Sequence, residues 1–145
     1  MIEEMERVKD INSITYCYSC KTCVSSCPVS YINPKFNPFG IVKRLAFWGS
    51  ERLLKDPVIW LCTGCYICQE RCPQGIKLVE IFTELKNRAY EKGYFPNSIK
   101  DQRDIILNKG RIYPLDDFDN KKRKKMGLPE LPTEIDITKR LFSLE

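Results

Sequence analysis

The sequence predicts an all-α domain whose helices carry two cysteine-rich loops. Three observations predict it: apolar residues recur at helical spacing, no stretch alternates in the manner of a strand, and eight cysteines form two runs of identical spacing. With 145 residues, 43% hydrophobic and 30% charged, the chain can build one modest core over residues 1–92 and carry an extension over residues 93–145.

In chain order, Ile2, Met5, Val8 and Ile11 form a stripe that predicts a short helix over Met1 to Ile11. Asn37 and Pro38 read as the N-cap and first position of a helix whose apolar face is Ile41, Val42, Leu45 and Ala46, with Gly49 at its end. Ser50 opens a further short helix that Pro57 stops. The clearest helix is Ile76 to Lys92, with Leu78, Ile81, Phe82, Leu85 and Ala89 on one face, a Glu84–Arg88 pair at i,i+4 and Gly93 after it. Asn97 to Asn108 predicts another, followed by Gly110.

Beyond Arg111 the composition shifts to Pro114, Pro129 and Pro132, three aspartates at 116, 117 and 119, and the basic run Lys121 to Lys125. This reads as an extended arm, either a solvated charge run or a partner-docking segment. Leu128, Leu131, Ile135, Ile137, Leu141, Phe142 and Leu144 favour docking. Residues 93–145 carry a net charge of only +2, from 11 basic and 9 acidic residues, so the basic run is not read as a nucleic-acid site.

The cysteines carry the chemistry. Cys17, Cys20, Cys23 and Cys27 precede Pro28, and Cys62, Cys65, Cys68 and Cys72 precede Pro73, so each run is C-x2-C-x2-C-x3-C-P and the second repeats the first at an offset of 45. Three thiolates spaced by two residues wrap a tight loop around three corners of a cubane iron–sulfur cluster, and the fourth cannot easily reach back. Two four-cysteine zinc sites and a disulfide framework are the alternatives. Zinc ligands usually come as separated C-x2-C pairs, and disulfides are rare in a reducing compartment. There is no histidine, which removes Ser-His and Cys-His nucleophile pairs and mixed Cys/His zinc sites.

The runs resemble those of two-cluster ferredoxins. That resemblance implies two [4Fe–4S] clusters, one on Cys17, Cys20, Cys23 and Cys72 and the other on Cys62, Cys65, Cys68 and Cys27. A complete four-thiolate shell leaves no open position for Lewis-acid or water-activating chemistry, so the chemistry left is outer-sphere electron transfer, with no catalytic residue on this chain. The formal charge of +5 becomes nearly neutral once each oxidised cluster contributes about −2. Near the loops, Lys21 is a candidate for tuning a cluster by its charge. Trp60, Tyr16 and Tyr18 are read as packing that limits water, and Gly64 as a point where a backbone N–H approaches sulfur.

A wider resemblance covers about Tyr16 to Thr133. Trp60-Leu61-Cys62-Thr63-Gly64-Cys65-Tyr66-Ile67-Cys68, Glu70-Arg71-Cys72-Pro73, the helix ending in Ala89 to Gly93 and Lys124-Lys125-Met126-Gly127-Leu128-Pro129-Glu130-Leu131-Pro132-Thr133 are similar to the C subunit of heterodisulfide reductase. The cysteine runs alone are shared with iron–sulfur subunits of succinate dehydrogenase, glycolate oxidase and anaerobic glycerol-3-phosphate dehydrogenase; the Gly-Leu-Pro-x-Leu-Pro tail is the more specific part. The resemblance implies an α-helical ferredoxin domain working in a complex, between a flavin and iron–sulfur A subunit and a catalytic B subunit. It also implies a substrate that is the mixed disulfide of coenzyme M and coenzyme B, or sulfane sulfur on a lipoate-binding protein.

Localisation is expected to be cytoplasmic. Met1 to Asp10 lacks the apolar core of a secretory signal, and no unbroken apolar stretch approaches the roughly 20 residues that span a bilayer. The longest candidate, Phe39 to Trp48, contains Lys43 and Arg44. With no haem-ligating histidine either, the soluble type of the family is favoured over its membrane-bound relatives.

Overall fold

The computed structural model describes residues 11–135. The stripe over Met1 to Ile11 falls outside the described residues except for Ile11, as do Ile137, Leu141, Phe142 and Leu144. Among the described residues the regular structure is entirely helical, and no helix is long and apolar enough to cross a membrane. The chain divides into two compact units, one ending at Phe95 and the other beginning at Pro96.

The first unit opens with a 3-10 turn, Ile11–Tyr16, that leads into the first cysteine loop. Helix α1 (Thr22–Ser25) lies inside that loop, and α2 (Pro28–Ile32) follows Cys27 directly. Helix α3 (Pro38–Trp48) starts where the sequence predicts, because the Asn37 side chain accepts the Gly40 N–H at 2.9 Å and Pro38 needs no hydrogen-bond partner for its nitrogen. It ends at Gly49, which adopts φ 72. Ile41, Val42 and Leu45 are buried as expected, but Ala46 is exposed: the buried stripe is narrower than the periodicity suggests.

Helix α4 (Glu51–Leu54) is short, and Asp56 then caps a 3-10 segment, Pro57–Leu61, that enters the second cysteine loop. Inside that loop lies α5 (Ile67–Glu70). Helix α6 (Leu78–Glu91) starts two residues later than predicted, since Pro73 to Gly75 turn back on Cys72 and Ile76 is still outside the helix. Its first turn is held by Gln69, whose side-chain amide oxygen Oε1 accepts the Val79 N–H at 3.2 Å. Leu78, Val79, Ile81, Phe82, Leu85 and Ala89 are buried on one face. Arg88 does not pair with Glu84; it reaches Glu51 on α4 at 4.0 Å, beside Lys92 at 2.7 Å. A cross-helix pair replaces the local one because Arg88 lies on the packed side of α6, only 12% exposed.

The core of this unit is the apolar face of α6 against α4 and the 3-10 segment at Pro57–Leu61, with α3 packed on α4 and Cys27 and Cys68 in the same cluster. Helix packing therefore fixes where the two loops stand.

In the second unit α7 (Asn97–Lys109) matches the predicted helix and ends at Gly110, φ 66. The segment read as an extended arm contains a further helix, α8 (Asp117–Lys125). The physical reason is local. Asp116 accepts the Asp119 N–H at 2.9 Å while Asp119 accepts the Asp116 N–H at 3.3 Å, a reciprocal cap. Acids in the first turn and bases in the last also complement the helix dipole. Gly127, φ 71, then turns the chain back: Asn120 exchanges two hydrogen bonds with Leu131, at 2.9 and 3.0 Å, and Arg123 donates to the Pro129 carbonyl at 2.9 Å. The Gly-Leu-Pro-x-Leu-Pro stretch is thus the return strap of α8.

Candidate metal centre

The two cysteine loops repeat in backbone conformation as well as in sequence. Ser19 and Gly64, 45 residues apart, have φ 69 and 68; Lys21 and Tyr66, also 45 apart, have φ 60 and 63. Helices α1 and α5 occupy equivalent positions. Each loop closes with the same pair of hydrogen bonds, Ser26 N–H to Thr22 O and Cys27 N–H to Val24 O in the first, Arg71 N–H to Ile67 O and Cys72 N–H to Gln69 O in the second, all at 3.1 Å. Three non-glycine residues in the left-handed region cost energy that a ligand-holding loop can require. Gly64 has φ 68, which favours glycine, and an added Cβ would meet no atom beyond its chain neighbours within 4 Å.

None of the eight cysteines forms a disulfide, and together they line two cavities. Cys17, Cys20, Cys23 and Cys72 line the first, together with Lys21, Phe39, Val42 and Ile76. Cys27, Cys62, Cys65 and Cys68 line the second, with Val29, Phe36, Val79 and Phe82. The fourth cysteine of each run stands with the first three of the other. Each set rings its cavity, and among the described residues no three Cys, Asp or Glu side chains are close enough to hold a single ion. Four-sulfur rings of this kind fit a cubane. When bound, such a cluster supplies reversible one-electron chemistry.

The electrostatics show what the thiols ask of a ligand. Burial pushes the Cys23 thiol up to about 11, helped by the neighbouring sulfurs of Cys17 and Cys20. Burial likewise pushes Cys68 up to about 12, with Cys62 the next contributor. The thiols of Cys23 and Cys68 therefore resist becoming thiolates until cationic iron is present. Cys20 goes the other way. The Thr22 hydroxyl, 3.3 Å from its sulfur, and the Thr22 backbone N–H lower it, with the Tyr18 hydroxyl contributing less.

Several neighbours differ from expectation. Tyr16 and Tyr18 are 69% and 59% exposed, so they do not shield the loop. Trp60 does pack against the core and donates its indole N–H to the Tyr94 carbonyl at 3.3 Å. Lys86, for which the sequence carries no local signal, donates to the Cys62 carbonyl at 2.6 Å, and the Ser30 N–H meets the Cys27 sulfur at 3.5 Å. A hollow against Phe118, Lys121, Lys122, Lys124 and Lys125 of α8 has no cysteine in its lining.

A family model described as a 4Fe-4S dicluster domain matches residues 13–76. The chain is 37% identical over 119 residues to the C subunit of the ferredoxin:CoB-CoM heterodisulfide reductase of Methanosarcina mazei, a match covering 82% of this chain and 73% of that one. The chain belongs to the family of heterodisulfide reductase C subunits. Within that family, the C subunit of the H2:CoB-CoM heterodisulfide,ferredoxin reductase of Methanothermobacter thermautotrophicus is 33% identical over 121 residues, covering 83% of this chain and 65% of that one. The iron–sulfur C subunit of the CoB–CoM heterodisulfide reductase of Methanopyrus kandleri is 31% identical, over 91% of this chain and 68% of that one. This chain therefore spans about two thirds of the length of these family members. Family and donor set agree on two [4Fe–4S] clusters and an iron–sulfur electron-transfer role.

Proposed function

We propose that Cys17, Cys20, Cys23 and Cys72 ligate one [4Fe–4S] cluster, that Cys62, Cys65, Cys68 and Cys27 ligate the other, and that the chain relays single electrons between them. The observation that carries this reading is the exchange of fourth cysteines: Cys72 lines the cavity of the first loop and Cys27 that of the second. Sharing ligands across two loops holds the clusters next to each other, which suits an electron hop. Eight thiols fill two complete shells, so no coordination position is left for a substrate. The chain is a conduit, and the bond-making chemistry belongs to a partner.

The proposed partners, those the resemblance to heterodisulfide reductase implies, are an A-like flavin and iron–sulfur subunit and a B-like catalytic subunit, in a cytoplasmic complex. The reaction is reduction of a disulfide, or the handling of sulfane sulfur, at the B-like subunit. Residues 1–92 form the cluster domain and residues 93–145 a docking extension. Exposed Ile112, Tyr113, Phe118 and Met126 in the extension support a docking role.

The test is anaerobic rapid mixing of the cluster-loaded chain with the reduced A-like subunit, following cluster absorbance. Bleaching within the turnover time, and its reversal on adding the B-like subunit with a disulfide substrate, is the expected result. Clusters that stay oxidised beside the reduced flavin subunit would overturn the relay.

A further inference from the structure

The repeat makes each loop a control for the other, and the two differ in what meets the second cysteine. Cys20 receives the Thr22 hydroxyl at 3.3 Å. The residue 45 positions on is Ile67, whose side chain has no donor to offer Cys65. Lys21 lines the first cavity, its ammonium 5.9 Å from the centroid of the Phe39 ring on the cavity wall; its counterpart is the neutral Tyr66. On the second side the cation, Lys86, meets the Cys62 carbonyl and not a sulfur, and the donor to sulfur is a neutral N–H at the longer distance of 3.5 Å.

Reducing a four-thiolate cubane adds one electron, with no bond made or broken, and takes the cluster from about −2 to about −3. A hydroxyl donated to a ligand sulfur and a cation beside the cavity both stabilise that added charge, and so raise the potential. We propose that Thr22 and Lys21 make the first-loop cluster the higher-potential member of the pair, so that a chain holding one electron keeps it on Cys17, Cys20, Cys23 and Cys72. This rests on the ligand assignment proposed above.

The test is a mediated redox titration of the cluster-loaded chain, read by EPR, in wild type, Thr22→Val, Lys21→Asn and Ile67→Thr. Asparagine tolerates the left-handed backbone at position 21. Thr22→Val should lower the higher of two midpoints, moving the electron's distribution toward the second cluster by a factor of about ten, or about 59 mV for a one-electron couple. Lys21→Asn should shift the same midpoint in the same direction, and Ile67→Thr should raise the lower one. A Thr22→Val or Lys21→Asn variant that moves only the lower midpoint, or neither, overturns the proposal. A wild-type chain without two cubane signals overturns the ligand assignment itself, an outcome recognisable before any variant is made.

Discussion

The two cysteine loops have nearly the same backbone and different surroundings. Positive φ recurs at Ser19 and Gly64 and at Lys21 and Tyr66, and the short helices α1 and α5 match in place and length. Around the first loop's cavity none of the four cysteines is buried, and its aromatic wall, Phe39, is half-exposed. Around the second, Cys27 and Cys68 are buried and the wall is Phe36 edge-on to Phe82, ring centroids 6.2 Å apart. The labour is divided: three closely spaced thiols fix the loop, while helices α3 and α6 decide how dry each site is.

Removing an exchanged ligand should separate the two loops most sharply. Cys72→Ser should lose the cluster on Cys17, Cys20 and Cys23, and Cys27→Ser the cluster on Cys62, Cys65 and Cys68. Each variant should retain about half the iron, with different EPR signals surviving. An intact first-loop cluster in Cys72→Ser would refute the crossed assignment.

Next in size is the wall. Phe82→Ala empties a fully buried site and should cost about 3–5 kcal/mol, read as a lower denaturant midpoint. Phe39→Ala, at the half-exposed wall of the first cavity, should cost clearly less. Equal losses would show that the two sites are equally dry.

Smaller again are the backbone positions. Gly64→Ala should cost about 1–2 kcal/mol from strain alone, because no protein atom would crowd the new Cβ. Ser19→Gly should stabilise the first loop by a fraction of that. If Ser19→Gly destabilises, the side chain does more than tolerate its conformation.

Asp56 offers a comparably small effect, and it belongs to the second loop's lead-in. Burial pushes its carboxyl up, but the Val58 N–H and the Arg44 guanidinium outweigh burial and hold it below the ordinary value. A group depressed on folding contributes stability above its unfolded pKa and loses it as pH falls through the folded one. Asp56→Ala should therefore cost about 1 kcal/mol at neutral pH, and the gap from wild type should close on acidification. A gap that widens in acid would contradict the capping role.

Much of this was legible in the chain. The helix starting at Pro38, the one over Asn97 onward and the two cysteine runs follow from caps, glycine stops and spacing, all of which act within a few residues, whereas the exchange of fourth cysteines between the runs is implied only by the resemblance to two-cluster ferredoxins. What escaped the sequence acts over longer distances or was masked by composition. Lys86 lies 24 residues from the carbonyl it meets, and only the packing of α6 brings them together. Arg88 chose Glu51 on another helix over Glu84 on its own. Helix α8 looked like a charge run, although Asp116 with Asp119 at one end and Gly127 at the other are legible capping signals. Tyr18 looked like packing because aromatic residues usually pack, yet it is 59% exposed.

Whether eight thiols hold two cubanes is decided by iron and acid-labile sulfide per chain on anaerobically purified protein, with an absorption spectrum before and after dithionite. Two cubanes require about eight of each and a broad visible band that bleaches on reduction. Two zinc ions per chain with no sulfide would contradict them.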